Sequence, residues 1–319
     1  MMLQVLLILL LLTGVLVLFE SKIYRNIIYF GIFSLLASLC YLLLGAPDVA
    51  MAEAGISVFA TVFFIVSIEK YYGRKNARDI EERPILLSGG RWFLKVAFPI
   101  LLTIGLFVLF IYFMPEHPTS TYLKDHYLAR FASDVGGQNA VAAILLGYRV
   151  YDTLFEALIL VVSVVAVSHM SWTESITVSA AKRSEIENSL VALLTLRIVC
   201  PVILIFGVYL ILNGHIAAGG GFLGGLAIAF FFVCRYFIYG IYDVPMDKVM
   251  RIEELVFVSF AFMTLLFVSL LGANVYLPER FSVLYQDVYL MVMNGLIGLK
   301  VACGFFIIFY RYVAVERYE

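Results

Sequence analysis

Long apolar stretches separated by shorter polar segments dominate the pattern of hydrophobic and polar positions along the chain. Most of these stretches are close to the ~20 residues that an α-helix needs to cross a hydrocarbon layer of ~30 Å. Helices that are apolar all round are typical of membrane spans, because lipid surrounds them in place of water. The pattern predicts about nine transmembrane helices, within 2–19, 24–44, 47–69, 92–114, 139–169, 189–212, 219–239, 252–272 and 286–312.

The stretch 139–169 is apolar over 31 residues, which is longer than one span requires. Gly147 is the expected break, with a short half-helix or re-entrant piece before it and a full span after it. One long tilted helix is the alternative. The polar segment 115–138 is predicted to be an exposed loop, and 171–188 has room for an amphipathic surface helix.

Composition narrows the class of protein further. The chain is 63% hydrophobic and only 14% charged, a balance that soluble globular domains do not have. The predicted fold class is therefore an all-α polytopic membrane protein. The four cysteines lie in apolar stretches without C-x-x-C spacing, so we expect no disulfide framework, no metal cluster and no cofactor in this chain.

Lysine and arginine are distributed unevenly between the loops that nine spans place on opposite sides. One set of loops collects 16 of the 22 Lys and Arg residues, whereas the other set has three. Cytoplasmic loops carry the excess of basic residues in membrane proteins. The distribution predicts an N-terminus outside and a C-terminus in the cytoplasm.

The same shifts in composition divide the chain into three predicted modules. Residues 1–91 form a three-helix module that ends in a basic cytoplasmic linker. Residues 92–188 form a two-helix module with the interrupted helix, and residues 189–319 form a four-helix module.

Three ionisable residues stand at the start of the fifth predicted span. Arg149, Asp152 and Glu156 fall within eight residues, and no charged residue follows from Ala157 to Val167. Asp152 and Glu156 share one helical face, with Arg149 three residues before Asp152. Ionisable groups inside a bilayer are costly and mark ion or proton paths. We interpret Asp152 as an anion held by Arg149 and Glu156 as a titrating carboxylate, with a static Arg–Asp pair as the alternative.

Two further acids lie in the motif Pro-Asp-Val-Ala-Met-Ala-Glu at 47–53. Asp48 suits the positive end of a helix, whereas Glu53 lies ~7 Å further along the axis. Small residues around Glu53 let a neighbouring helix approach closely. Asp48 and Glu53 are both candidates for an ion path, and a plain hydrogen bond from Glu53 to another helix is the alternative.

A glycine-rich segment at 214–225 joins the sixth and seventh predicted spans. Consecutive glycines permit an irregular backbone that can direct polar groups at an ion, and small residues four apart allow close helix packing. Both interpretations stay open. Histidine side chains commonly exchange protons near neutral pH, so His215 is a candidate proton relay. The alternative is a histidine in water without a role. The candidate loop and packing glycines are Gly219, Gly220, Gly221, Gly224 and Gly225.

One lysine is predicted to lie near mid-depth in the membrane. Lys300 is 14 residues into the last predicted span, which is ~21 Å along the helix axis. From there its side chain cannot easily reach either surface, so it must pair with an acid, face water or be neutral. We predict that Lys300 pairs with an acidic group of this chain or of a partner, on a proton path.

Three stretches carry a family resemblance. The motif at 47–53 resembles the signature of the C-terminal region of the A subunit of Mrp-type antiporters, or of its stand-alone equivalent in membrane-bound hydrogenases. The residues at 139–156, Asn-x-Val followed by Ile-Leu, Tyr-Arg and Tyr-Asp-Thr-Leu-x-Glu, resemble the segment that follows in that region. The segment 214–226 resembles the B subunits of the same antiporters. The chain therefore resembles a fusion of modules usually found on separate polypeptides, although Ser57, Phe155 and Ala218 depart from the family pattern.

The resemblance implies a component of a multi-subunit Na⁺ (or other cation)/H⁺ antiporter module in a prokaryotic cell membrane. Glu53, Asp152 and Glu156 would line an ion or proton path at interfaces with other antiporter subunits and bind Na⁺ transiently, without a structural metal. We expect no catalytic centre in this chain and no nucleic-acid partner. A free-standing antiporter and a complex driven by hydrogenase-like or sulfur-reductase-like redox subunits both fit. The alternative is a membrane scaffold that links transporter and redox arms without an ion path of its own.

Overall fold

A computed structural model describes residues 2–20, 22–81, 98–113, 121–170, 190–239, 245–272 and 279–314. Every regular element within these ranges is a helix, as expected of apolar segments that must satisfy their backbone groups internally in lipid. The elements are α1 (Met2–Phe19), α2 (Ile23–Leu43), α3 (Pro47–Glu81), α4 (Phe98–Phe113), α5 (Tyr122–Asp134), α6 (Ala140–Ala143), α7 (Val150–Met170), α8 (Leu190–Asn213), α9 (Gly221–Tyr239), α10 (Met246–Gly272) and α11 (Glu279–Ala314).

Eight of the described helices are long and apolar enough to cross a membrane, namely α1, α2, α3, α7, α8, α9, α10 and α11. They confirm the prediction of an all-α polytopic membrane protein. Within the remaining predicted span, 92–114, the structure describes the apolar helix α4, whose 16 residues do not place it among these eight, and residues 82–97 lie outside the described ranges. The orientation of the bundle across the membrane stays a prediction.

Two polar segments are more helical than their sequence predicts. α3 continues to Glu81 instead of ending near residue 69, because a helix that is already formed gains one hydrogen bond for each residue it adds. The predicted exposed loop 115–138 contains α5, whose Tyr127 stacks on Tyr148 with ring centroids 4.6 Å apart. The segment 171–188, which has room for a surface helix, lies outside the described residues.

The interruption predicted at Gly147 is a π-helical turn, Ile144–Tyr148, between α6 and α7. The main-chain N–H of Arg149 donates to Ile144 O at 2.8 Å, and the Thr153 hydroxyl donates to Leu145 O at 2.7 Å. These bonds join the wide turn to the first turn of α7. A Cβ atom at Gly147 would lie 2.5 Å from the Val135 side chain, so the glycine allows the π-helical turn to pack closely on Val135.

The core is built around α9 and α11, on which α7, α8 and α10 pack. Glycines allow this packing because they bring the helix backbones together. A Cβ atom at Gly225 would lie 2.4 Å from the carbonyl oxygen of Gly298 in α11, and one at Gly224 would lie 2.5 Å from that of Gly207 in α8. α1, α2 and α3 pack in sequence order against this core through contacts of α3 with α9 and α11.

Candidate functional site

The loop between α8 and α9, residues 214–220, is the place where the three predicted modules meet, and we call it the glycine loop. Gly219 and Gly220 have φ angles of 151° and 118°, a region that side chains with a Cβ atom rarely adopt. A Cβ atom at Gly214 would lie 2.4 Å from the Cα atom of Gly220. The irregular backbone and the close packing that the glycines allow are therefore both present. The loop comprises 219 and 220, and α9 begins at Gly221 instead of the predicted 219.

Asn139 ties the second module to the glycine loop. Its side-chain amide donates to Gly214 O at 3.1 Å and to Ala217 O at 3.0 Å. Its side-chain oxygen accepts from the main-chain N–H groups of Val141 and Ala142, which caps the N-terminus of α6. This role was not predicted from the sequence, although the position of an asparagine just before a helix is a signal for the cap.

Asp48 ties the first module to the same loop. It lies in the first turn of α3, and its Oδ1 accepts the N–H of Gly219 at 3.0 Å. The amide of Asn139 is 3.5 Å from the same oxygen, which is the outer limit of a hydrogen bond. We call Asp48, Asn139 and the glycine loop the three-module junction.

Glu53 is not part of the three-module junction. Its half-buried carboxylate accepts a hydrogen bond from the Ser34 hydroxyl, which lies in α2. α2 and α3 are further joined by hydrogen bonds from Ser38 to Ala50 O at 2.6 Å and from Ser57 to Gly31 O at 3.3 Å. Glu53 therefore faces the close contact with another helix that its small neighbours predict.

Arg149, Asp152 and Glu156 lie on the outside of the described bundle. Arg149 and Asp152 form an ion pair at 2.5 Å, with 61% and 52% of their side chains exposed. The Glu156 side chain is also exposed, beside Phe155 and Ile159, which are 60% and 67% exposed. The segment therefore presents its charges to whatever covers α7, and within the described residues it makes no ion pair with the other predicted site residues.

His215 is buried in the glycine loop instead of lying in water. Only 8% of the residue is exposed, and its carbonyl oxygen accepts the N–H groups of Gln138 and Asn139 at 2.8 and 3.1 Å. Its side-chain Nδ1 has no hydrogen-bond partner among the described residues. The alternative of a solvated histidine is therefore wrong, whereas a role in proton transfer stays a prediction.

Lys300 has the acidic partner that its depth predicts. Its Nζ forms an ion pair with Glu253 of α10, and 1% and 4% of the two side chains are exposed. The ring of Phe257 lies 5.5 Å from the ammonium group. Glu253 was not predicted as the partner because the apolar pattern placed the start of this helix at residue 252, whereas α10 begins at Met246 and carries Glu253 inside the bundle.

Three family models match successive parts of the chain. Residues 8–72 match the MbhD family, described as the D subunit of MBH, and residues 92–175 match the MbhE family, described as the E subunit of MBH. Residues 191–307 match the domain related to the MnhB subunit of Na⁺/H⁺ antiporter. The chain is a fusion of Mrp-type antiporter subunit modules.

This Mrp-type fusion has relatives among larger antiporter subunits. It is 22% identical over 244 residues to a probable K⁺/H⁺ antiporter A/B subunit of Rhizobium meliloti (strain 1021), an alignment that covers 68% of the chain and 24% of that protein. It is 25% identical over 150 residues to the antiporter subunit mnhA2 of Staphylococcus aureus, which covers 47% of the chain and 18% of that protein. The chain thus spans about a quarter or less of the length of these curated relatives.

Two solved membrane complexes contain chains with this fold. The Mrp complex from Dietzia sp. DQ12-45-1b has a chain that matches with a TM-score of 0.75 and 19% identity, over 99% of the Mrp-type fusion and 35% of that chain. The membrane-bound sulfane sulfur reductase, an archaeal respiratory membrane complex, matches with a TM-score of 0.53 and 25% identity, over 67% of the fusion and 94% of that chain. The fold thus occurs in multi-subunit membrane complexes of two kinds.

Proposed function

We propose that the chain is a component of a multi-subunit cation (Na⁺)/H⁺ antiporter module in a prokaryotic cytoplasmic membrane. It lines an ion or proton path where it meets other antiporter subunits. The complex is either a free-standing antiporter or one driven by hydrogenase-like or sulfur-reductase-like redox subunits. The family matches support the antiporter module, and the two kinds of matched complex support both settings.

The placement of Glu156 carries the proposal. Glu156 lies in the second turn of the span Val150–His169, on an exposed helix face that it shares with Asp152 and with the apolar Phe155 and Ile159. A charged side chain within the hydrocarbon layer is costly, and such groups face a protein interior or a wet cavity instead of lipid. A partner subunit that covers this face of α7 would give the carboxylate that environment.

Carboxylates suit an exchange path because each of them binds a cation when ionised and carries a proton when neutral. Cation and proton then compete for one group, which is the minimal requirement for exchange. Asp152 is paired with the guanidinium of Arg149 at 2.5 Å. We propose Asp152 as the fixed anion, Glu156 as the group that exchanges, and Glu53 as a further carboxylate on the path.

The test replaces Glu156 by glutamine, which keeps the shape of the side chain and cannot release a proton. Inverted membrane vesicles that contain the assembled complex should lose pH- and Na⁺-dependent exchange in Glu156→Gln. The matched control is Asp125→Asn, which neutralises an exposed acid of α5 outside the candidate spans and should exchange like the parent. Parental exchange by Glu156→Gln would show that the proposed role of this carboxylate is wrong.

A structural scaffold is the second candidate, and the closed ion pairs favour it. Lys300 is paired with Glu253 inside the bundle, and Arg149 is paired with Asp152 on its surface. The pair of Lys300 and Glu253 can hold α11 and α10 together without binding a transported ion, whereas the pair of Arg149 and Asp152 lies at the start of α7. Full exchange in Glu156→Gln and in Glu53→Gln, with the complex intact, is the outcome that the scaffold requires.

A further inference from the structure

The three-module junction connects two helical columns that carry the proposed ion-binding carboxylates. We propose that Asp48 and Asn139 are positioning residues, which fix α3 and the α6–α7 column to the glycine loop. Asp48 then acts as a hydrogen-bond acceptor and not as an ion ligand. The inference rests on the proposed function, because the positions of Glu53 and Glu156 matter for transport only if these groups take part in it.

Asp48 sets the position of α3 relative to the glycine loop. Its Oδ1 accepts the Gly219 N–H at 3.0 Å, so one of its oxygens is directed at the loop backbone. Glu53 follows five residues later on the same helix, ~7 Å along its axis. Because a helix moves as a unit over such a distance, a shift of the first turn of α3 also shifts Glu53.

Asn139 sets the position of the second column, and its role requires an amide. Its two N–H bonds reach Gly214 O and Ala217 O at 3.1 and 3.0 Å, and its oxygen caps α6. An aspartate could still cap the helix, but it would place a carboxylate against two carbonyl oxygens and near Asp48. The column continues through the π-helical turn into α7, which carries Asp152 and Glu156.

The glycine loop is a fixed reference for both columns because it is held from several sides. Gly220 N–H donates to Leu210 O at 3.1 Å, which closes the loop onto α8. Gly221 N–H donates to the side-chain oxygen of the buried Asn294 in α11 at 3.0 Å. Displacing Asp48 or Asn139 therefore moves the attached column more readily than it moves the loop.

The experiment compares Asp48→Asn with Asp48→Ala in the assembled complex in inverted membrane vesicles. Asp48→Asn keeps an acceptor oxygen and loses only the charge, so it should keep a half-saturating cation concentration within about threefold of the parent. Asp48→Ala and Asn139→Asp should each raise it about tenfold, as expected when a hydrogen bond that positions the site is lost. Asp125→Asn is again the control for a neutralised exposed acid.

Two results of the transport measurement would overturn the inference. Loss of exchange in Asp48→Asn would show that the charge itself is required, which would place Asp48 on the ion path. An unchanged half-saturating concentration in Asp48→Ala would show that the hydrogen bond positions nothing. If the complex with Asp48→Ala does not assemble, the half-saturating cation concentrations of Asp48→Asn and Asn139→Asp decide between these results. A value near the parental one in Asn139→Asp, or a loss of exchange in Asp48→Asn, would then overturn the inference.

A second measurement does not depend on transport. Hydrogen–deuterium exchange of the Gly219 main-chain amide, whose acceptor is Asp48, should become about tenfold faster in Asp48→Ala and stay parental in Asp48→Asn. Equal protection in the two variants would overturn the positioning role. Parental transport by Glu53→Gln and Glu156→Gln would instead overturn the proposed function. The amide exchange would then still show whether the hydrogen bond from Gly219 to Asp48 protects the amide.

Discussion

The buried pair of Lys300 and Glu253 makes a prediction whose size follows from the structure. In Lys300→Met the carboxylate of Glu253 loses its partner, and in Glu253→Gln the ammonium of Lys300 loses its own. Because 1% and 4% of these side chains are exposed, water does not replace the lost partner. The remaining group must either stay charged and unpaired or become neutral.

Neutralisation limits the destabilisation of each single variant. Protonating a carboxyl group with a reference pKa of ~4.3 at pH 7 costs about 4 kcal/mol, and deprotonating a lysine with a reference pKa of ~10.4 costs about 5 kcal/mol. These values agree with the ~3–5 kcal/mol that is typical when one partner of a buried ion pair is removed. The double variant Lys300→Met/Glu253→Gln leaves no charge behind and should be more stable than either single variant.

The two single variants should respond to pH in opposite directions. In Lys300→Met the folded state binds one proton more than the unfolded state, so its stability should fall by about 3 kcal/mol between pH 6 and pH 8 relative to the parent. In Glu253→Gln the folded state binds one proton fewer, so its stability should rise by a similar amount over the same interval. The double variant should show neither slope.

Thermal unfolding of the purified complex at several pH values is the assay. Glu254→Gln is the matched control, because Glu254 neighbours Glu253 and is exposed, and it should behave like the parent. Lys300→Met should assemble best at low pH, where the exchange assay then tests whether the lysine is also needed for coupling. Equal pH slopes in the two single variants would refute the argument that each leaves a buried, neutralised group.

Two further predictions concern packing and topology. Gly225→Ala should destabilise the complex by ~1–3 kcal/mol in thermal unfolding, because the added Cβ would lie 2.4 Å from Gly298 O. The control Gly295→Ala, with no heavy atom within 4 Å of the added Cβ, should be neutral or stabilising. Equal losses of stability in both variants would contradict the packing argument. Cysteines introduced between residues 73 and 88 should react with a membrane-impermeant reagent only after cells are permeabilised, since the basic linker is predicted to be cytoplasmic, and labelling in intact cells would show that the orientation is wrong.

Eight of the nine membrane spans could be predicted from the sequence because the length and hydropathy of a segment identify an apolar helix. The pairing of Lys300 with an acid could also be predicted, since a lysine at that depth has few alternatives. The identity of the acid could not, because the polar residues before Glu253 placed the predicted start of its helix six residues too late. Helix start points are the least certain part of a hydropathy pattern.

Contacts between segments far apart in the chain could not be predicted from the hydropathy pattern. Asp48 and Gly219 are 171 positions apart, and nothing in their local sequences shows that a carboxylate and a main-chain N–H will meet. The segment 149–156 lies at the start of a candidate span, as predicted, and its role in an ion path stays a prediction. Its place on the outside of the chain depends on which helix faces pack against α11, which a single span does not reveal.

The three-module junction also bears on why these modules share one polypeptide. Two of the modules match families described as separate subunits, the D and E subunits of MBH. If the modules were separate chains, they would have to associate before a hydrogen bond such as the one from Gly219 to Asp48 could form. A covalent link fixes the stoichiometry at one copy of each module. It also replaces a concentration-dependent encounter by an intramolecular one with an effective concentration in the millimolar range. The three-module junction can therefore form from individually weak hydrogen bonds. These bonds do not have to supply the binding affinity that separate subunits would need.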